Sequence, residues 1–276
     1  MKILITGASG YLGSSLCDYF KAKQTCIVKI LCRKYQCNCE NWHLGQFADF
    51  DVVFHAAWPN VTGEYRQDRD LQEQGYSFTI QLVENLDLKK LKKFFFFGSQ
   101  AEIDNANSIS DENTKRTPKS EYGKIKSQTH LYLQSLFSSH QYVHLIIYSL
   151  YGGNQGVNWF IPMLLKKTKL DERFRLNNPR LIMSFLHIDN FCEIIYKLVC
   201  VDAFGEFIIS SSEHIQLSDI HEYIYTQVYC EQKVLYTDCS NPRYVAGNSQ
   251  KLFKEIDPFQ DRKLYAFLEK HVYEGI

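Results

Sequence analysis

Residues 3–13 read ILITGASGYLG, a short apolar strand running into three glycines spaced three apart and then into a helical pattern. Few folds accept such a strand, turn and helix, because each glycine serves backbone geometry rather than packing. Gly7 permits the tight turn, Gly10 lets the backbone approach a pyrophosphate, and Gly13 lets the helix lie close on the strand. Unpaired N–H groups at the helix start then face the anion, as the helix dipole favours. The segment predicts a dinucleotide-phosphate seat built from Gly7, Ser9, Gly10, Tyr11, Leu12 and Gly13.

Apolar runs alternate with helical patterns along the next 140 or so residues. Strands are predicted at 2–6, 26–32, 51–56, 93–98 and 143–148, and helices at 10–22, 68–87 and 120–138. This alternation argues for an α/β fold, a Rossmann-type doubly wound parallel sheet covered on both faces. The run FFFF at 94–97 fits a buried central strand, with Lys89, Lys90, Lys92 and Lys93 as its solvated lead-in. Between Arg33 and Asp51 the periodicity is weak and leaves room for one short strand near Trp42. Beyond about residue 150 the pattern is mixed, with helices near 158–169, 188–201, 217–230 and 259–271 and a strand at 206–210. Without a Pro/Ser-rich linker, the expected organisation is a dinucleotide-binding domain at 1–150 and, at 151–276, mainly a smaller C-terminal α/β substrate lobe. Some helices and strands of the second half are expected to return to the sheet.

Composition narrows the function classes. Lys+Arg and Asp+Glu both number 31 in 276 residues, so overall charge points to neither nucleic acid nor a membrane surface, and a small molecule is the expected partner. Nine cysteines stand at irregular positions, and even the nearest group, Cys32, Cys37 and Cys39, lacks the paired knuckles of a structural zinc site. Reduced thiols, no metal and a cytoplasmic location are expected. Apolar runs fall well short of the roughly 20 residues that cross a bilayer, which predicts a soluble, unsecreted chain.

Tyr122 and Lys126 form a YxxxK pair inside a predicted helix, on one face and about one turn apart. An ammonium beside a phenol favours phenolate, so Tyr122 is expected to exchange a proton with an alcohol or carbonyl oxygen near neutral pH. Together TGASGYLG, DVVFHAAW at 51–58, FFFFGSQAEI at 94–103, YGKIK at 122–126, SFLHIDNF at 184–191 and GNSQKLFKEI at 247–256 give a chain that resembles the extended short-chain dehydrogenase/reductases. More closely, it resembles their NAD-dependent epimerase/dehydratase family of nucleotide-sugar enzymes, in motif order over nearly the whole length.

The resemblance implies that Tyr122 is the catalytic acid/base and that Lys126 holds the nicotinamide ribose and tunes the tyrosine. It implies that His55, Ala56 and Ala57 line the cofactor through their backbone, the His55 imidazole itself being satisfied by neighbours. Asn158 matches a position that contacts the nucleotide phosphates, and Arg243 one that grips the diphosphate. Relatives often form homodimers through the two long helices, here 68–87 and 120–138.

Several departures bear on the reaction. The family's catalytic Ser/Thr aligns with Gln100, while Ser99 stands one residue earlier, so either is expected to polarise the sugar carbonyl. Where the dehydratase pattern carries Asp-Glu, this chain has Ala101 and Glu102. The arginine usually found ahead of HxDD is Met183, which leaves diphosphate binding to Arg243 or Arg180, and HxDD itself reads HIDN. At the end of the second strand stand Cys32, Arg33 and Lys34 instead of a carboxylate, which favours NADP(H) over NAD, with Arg33 on the 2′-phosphate. These features predict an NADPH-dependent reduction of a nucleotide-activated 4-keto-(6-deoxy) sugar bound for a surface polysaccharide. The alternatives are a 4-epimerase, or dehydratase, with tightly held NAD and, outside catalysis, a dinucleotide-binding sensor.

Overall fold

The four phenylalanines at 94–97 divide between two faces of one strand, because successive side chains of a strand point to opposite sides. Phe95 and Phe97 join one core, Phe94 and Phe96 another, and none is more than 3% exposed. That strand is the centre of the fold. The computed structural model describes residues 1–23, 27–31, 47–60, 62–170, 172, 176–227, 241–257 and 261–273. Cys32, Arg33, Lys34, Cys37, Cys39 and the strand expected near Trp42 lie outside these described residues.

The strands are β1 (Lys2–Thr6), β2 (Ile27–Leu31), β3 (Val52–His55), β4 (Lys93–Ser99), β5 (Tyr142–Ile147), β6 (Ser149–Tyr151), β7 (Leu181–Met183), β8 (Phe185–His187), β9 (Gly205–Ile209), β10 (Ile215–Gln216) and β11 (Arg243–Val245). The helices are α1 (Tyr11–Ala22), α2 (Arg69–Glu84), α3 (Glu121–Leu136), α4 (Phe160–Lys169), α5 (Ile188–Cys200), α6 (Leu217–Gln227), α7 (Leu252–Glu255) and α8 (Leu264–Tyr273). The main sheet has the order β2-β1-β3-β4-β5-β9, with every pairing parallel. After β1 the chain steps outward to β2 and then crosses back to place β3 on the other side of β1. The order therefore reverses at β1, and a crevice opens at the carboxyl end of that strand, as doubly wound sheets require.

Helices α1 and α5 cover one face through Leu16, Phe20, Phe191, Ile194, Ile195 and Leu198. Helices α2 and α3 cover the other through Leu82, Val83 and Leu133. Asp68 and Ser120 cap the second pair, their side chains accepting from the backbone N–H of Leu71 at 3.0 Å and of Gly123 at 3.1 Å. Lys93 corrects the solvated lead-in. It is 5% exposed, and its Nζ donates to the carbonyls of Leu198, at 2.7 Å, and Val201 at the end of α5. An ammonium at a helix carboxyl end satisfies orphan carbonyls and opposes the dipole, which offsets the burial that holds its pKa down.

The chain beyond β5 both returns to the sheet and builds a second core. Helix α5 and strand β9 complete the main layer, while β6 pairs with β8 and β7 lies between β10 and β11. Tyr151, Ile161, Leu164, Phe185, Ile220 and Leu264 pack a separate cluster there. These strands of two or three residues are too short to leave a period-two signature in sequence. No helix among the described residues is long and apolar enough to cross a membrane.

Candidate active site

Gly7 adopts φ +67°, and a Cβ there would come within 2.6 Å of the Ala57 nitrogen and 2.7 Å of the Ala56 carbonyl oxygen. Only glycine fits. The Gly10 N–H donates to the Gly7 carbonyl at 2.8 Å, closing the turn, and α1 starts with no side-chain cap. Its first N–H groups are thus free for an anion, which is the arrangement that a pyrophosphate needs.

The glycine turn opens into a cavity of about 500 Å³ that collects residues from both halves of the chain. Gly7, Gly10, Tyr11, Leu12, Gly13 and Ala56 line it from β1, α1 and β3, and Ser99, Gln100, Tyr122 and Lys126 from β4 and α3. Trp58, Pro59 and Arg66 come from the loop after β3, and Gln155, Trp159, Met183, Phe185 and Val245 from the C-terminal half. Ser9 is exposed and, like Ala57, lies outside the lining.

His55 faces away from the cavity. Its two ring nitrogens hydrogen-bond with the hydroxyls of Thr6 at 2.9 Å and Thr79 at 2.8 Å, and Thr6 Oγ1 also accepts from the Ala57 N–H at 3.1 Å. Burial, with Lys126 nearby, holds its pKa at about 3, so the ring stays neutral and fixes the backbone of 55–57. Asn158 and Arg243 are exposed and outside the lining. Arg243 shares a face of β11 with Val245, one pleat further from the cavity.

Tyr122 is 8% exposed, with the Ser99 side chain within hydrogen-bonding reach and the Arg66 guanidinium 5.0 Å from its ring centre. Burial pushes the phenol up to about 12, against the opposing pull of Ser99 and Arg66. The expectation that Lys126 lowers it is corrected by where the ammonium goes. Lys126 Nζ donates to the Phe97 carbonyl at 2.7 Å and sits 3.7 Å from a Trp58 ring centre, and burial brings its pKa down to about 7. Four residues of spacing align two side chains on a helix face without making their tips meet.

Ser99 and Gln100 both reach the cavity because the strand stays paired through Ser99, opposite Ile147, and turns at once into the one-turn helix 100–102. Ser99 Oγ accepts from the Ala101 N–H, and Glu102 Oε1 accepts from the Ser99 N–H at 2.8 Å, a capping box. The spacing Ser-x-x-Glu was visible in sequence as that signal. Glu102 is fully buried, bonded on one side by Arg116 at 2.7 Å and on the other by His144 at 3.3 Å. Burial would raise its carboxyl, yet His144, Arg116 and the Ser99 N–H together hold it at about 2.

The same partners reach Glu206. Its Oε2 receives His144 Nδ1 at 2.8 Å and the Arg116 guanidinium, and His130 stacks on His144 with ring centres 4.0 Å apart. Among the described residues His130, His144 and Glu206 have metal-compatible spacing, but Glu206 Oε2 already accepts from the Arg116 guanidinium and from His144. The cluster is an ion-pair network behind Ser99.

A family model described as the NAD dependent epimerase/dehydratase family matches residues 3–206. The chain belongs to that family. Membership bears out the resemblance read from the motifs and makes this an NAD-binding enzyme of the extended short-chain dehydrogenase/reductase type. A curated dTDP-D-glucose 4,6-dehydratase of Dictyostelium discoideum is 27% identical over 233 residues, 68% of this chain and 53% of that protein, so the chain spans about half the length of this relative. UDP-glucuronic acid 4-epimerase from Bacillus cereus, in complex with NAD, is similar in structure at a TM-score of 0.80 and 20% identity, covering 99% of both chains. dTDP-glucose 4,6-dehydratase from Bacillus anthracis, also with NAD, gives 0.76 at 17% identity, covering 99% of this chain and 96% of the other. These likenesses confirm the doubly wound fold.

The expected NADP(H) preference is overturned. The family is NAD dependent by its description, and both structural neighbours named above are complexes with NAD. A basic strand end such as Arg33-Lys34 does not require a 2′-phosphate, because a guanidinium also donates to neutral ribose hydroxyls and stacks on flat rings. Replacing Gly7 with alanine is expected to weaken NAD binding at least tenfold, measured by calorimetry, since the new Cβ strikes the backbone of 56–57.

Proposed function

We propose that this chain interconverts the C4 epimers of a nucleotide-activated sugar with NAD retained between turnovers. One observation carries the reading. Tyr122, Lys126 and Ser99 share a single cavity with the glycine seat, while the positions that would remove water hold Ala101 and a Glu102 sealed outside the lining. A carboxylate fully buried and bonded to Arg116, His144 and the Ser99 N–H does not reach a sugar in the cavity for elimination chemistry. The names of the structural neighbours support oxidation at C4, and the correction to NAD removes the reason for a net NADPH-consuming reductase.

Gly7, Gly10 and the start of α1 would seat the NAD diphosphate, with Ala56 beside it and Lys126 toward the nicotinamide ribose. When bound, NAD accepts a hydride from the sugar and returns it. Tyr122 takes the proton of the C4 hydroxyl and later restores it, and the Ser99 hydroxyl donates to the same oxygen as charge develops there. The Gln100 amide stands ready as a second donor to that oxygen. Residues 1–150 act as the dinucleotide domain, and 151–276 supply the opposite wall through Met183, Phe185 and Val245.

Purified protein is expected to carry bound NAD, released by acid and identified by mass spectrometry. It is also expected to convert one member of a UDP-hexose or UDP-hexuronate panel to its 4-epimer with no cofactor added. Protein that is inactive across the panel in saturating NAD would refute the reading. A 4-keto-6-deoxy product would establish the dehydratase reaction instead.

A further inference from the structure

We propose that Arg66 selects a sugar carrying a carboxylate next to the reacting carbon, that is, a nucleotide-activated uronic acid. This rests on the C4 reading above and deepens it. The cavity lining contains no Asp or Glu and two cations, Lys126 and Arg66. Lys126 is committed to the Phe97 carbonyl and to the rings of Trp58 and Phe96. Arg66 has no ion pair or hydrogen bond from its guanidinium to any described residue, and lies only against the face of Tyr122, 5.0 Å from its centre. Arg66 is partly buried, and its N–H donors, without a partner among the described residues, can meet an anion that enters the cavity.

Its position is built rather than incidental. Arg66 ends the one-turn helix Gly63–Arg66, and the loop leading to it is tied down by Gln72, which is fully buried on α2. Gln72 Nε2 donates to the carbonyls of Asn60 at 3.0 Å and Tyr65 at 2.8 Å, and its Oε1 accepts from Trp58 Nε1 at 2.8 Å. One amide therefore ties Trp58 and the backbone just ahead of Arg66 to α2, which directs both residues to the same side of the cavity.

Geometry then identifies the anion. Tyr122 works on the oxygen at C4, so a group lying on its ring is near the substituents at C3 and C5, of which C3 carries a neutral hydroxyl. The diphosphate of a nucleotide sugar hangs from C1, across the ring from C4, and the diphosphate of NAD belongs to the glycine turn. A carboxylate at C6 is the remaining anion within reach, and its two oxygens match the planar fork of arginine.

The test compares UDP-glucuronic acid with UDP-glucose for wild type, Arg66→Met and Arg66→Lys, all with saturating NAD, by calorimetric binding and by kcat/KM. Wild type is expected to bind the uronate at least tenfold more tightly than the hexose. Arg66→Met should cut that ratio about tenfold or more, mainly through KM, with Arg66→Lys recovering part of it. A loss shared equally by both sugars would mean that Arg66 acts on Tyr122 alone and overturns the proposal, as would equal binding of the two sugars or binding of neither. If the uronate binds through Arg66 but is not epimerised, the selection stands and the epimerase reading falls.

Discussion

Tyr122→Phe is expected to lower turnover by about 10²–10⁴-fold while NAD retention and thermal stability stay close to wild type. The phenol ring stays, so the packing against Arg66 survives, and only the hydroxyl near Ser99 is lost. With its pKa at about 12 the residue is a protonated phenol near neutrality, equipped to return a proton to the sugar oxygen. To take one it must first lose its own proton, which burial opposes more strongly than the Arg66 charge and the Ser99 hydroxyl favour it. Stopped-assay turnover beside melting curves separates the two effects. Unchanged turnover would remove Tyr122 from proton transfer, whereas a collapsed melting temperature would make the assay a measure of folding.

Glu102→Ala is expected to destabilise the protein by about 3–5 kcal/mol, because removing one member of a buried ionic network leaves Arg116 and His144 with Glu206 alone as their counter-charge and an empty site where the second carboxylate stood. The melting temperature should fall by on the order of 10 °C. Glu102→Gln, which keeps an acceptor for the Ser99 N–H, should recover part of the loss. The pH dependence has a definite sign. Glu102 is held at about 2, below its ordinary 4.5, so its contribution is present above 4.5 and lost as pH falls through about 2. His144 is raised above its ordinary 6.5, since its two carboxylate partners outweigh burial, so its contribution is present below 6.5 and lost as pH rises through its folded value. Wild type should therefore gain most from this network between about pH 4.5 and 6.5, and the Glu102→Ala variant should show a flatter melting profile below about 4.5 and above about 6.5, where wild type loses that gain. An unaltered profile would contradict the network's role.

The parts of this site that sequence revealed are the local ones. The turn at Gly7, the helix face shared by Tyr122 and Lys126, and the alternation of buried strands all depend on neighbours within a few residues. The arrangement around Arg66 does not. Gln72, on the following helix, fixes it by reaching back to Asn60, Tyr65 and Trp58, and no spacing rule announces such contacts. Glu102 was half visible. Its capping box follows from Ser-x-x-Glu, but Arg116, His144 and Glu206 come to it from separate segments of the chain. Lys93 misled for a similar reason, because the carbonyls that hold it lie more than 100 residues away. The cofactor expectation failed because two adjacent cations were assigned a phosphate when a guanidinium has several other uses.

The most direct test of the proposed chemistry follows a deuterium atom placed at C4 of whichever UDP-sugar the protein converts. If a hydride leaves C4 and returns within one closed cavity, the product epimer keeps its deuterium at C4 in ordinary water, and unlabelled sugar converted in heavy water takes up no deuterium at C4 or C5, as read by NMR and mass spectrometry. Loss of the C4 label to solvent, or solvent hydrogen appearing at C5, would contradict oxidation and return at C4.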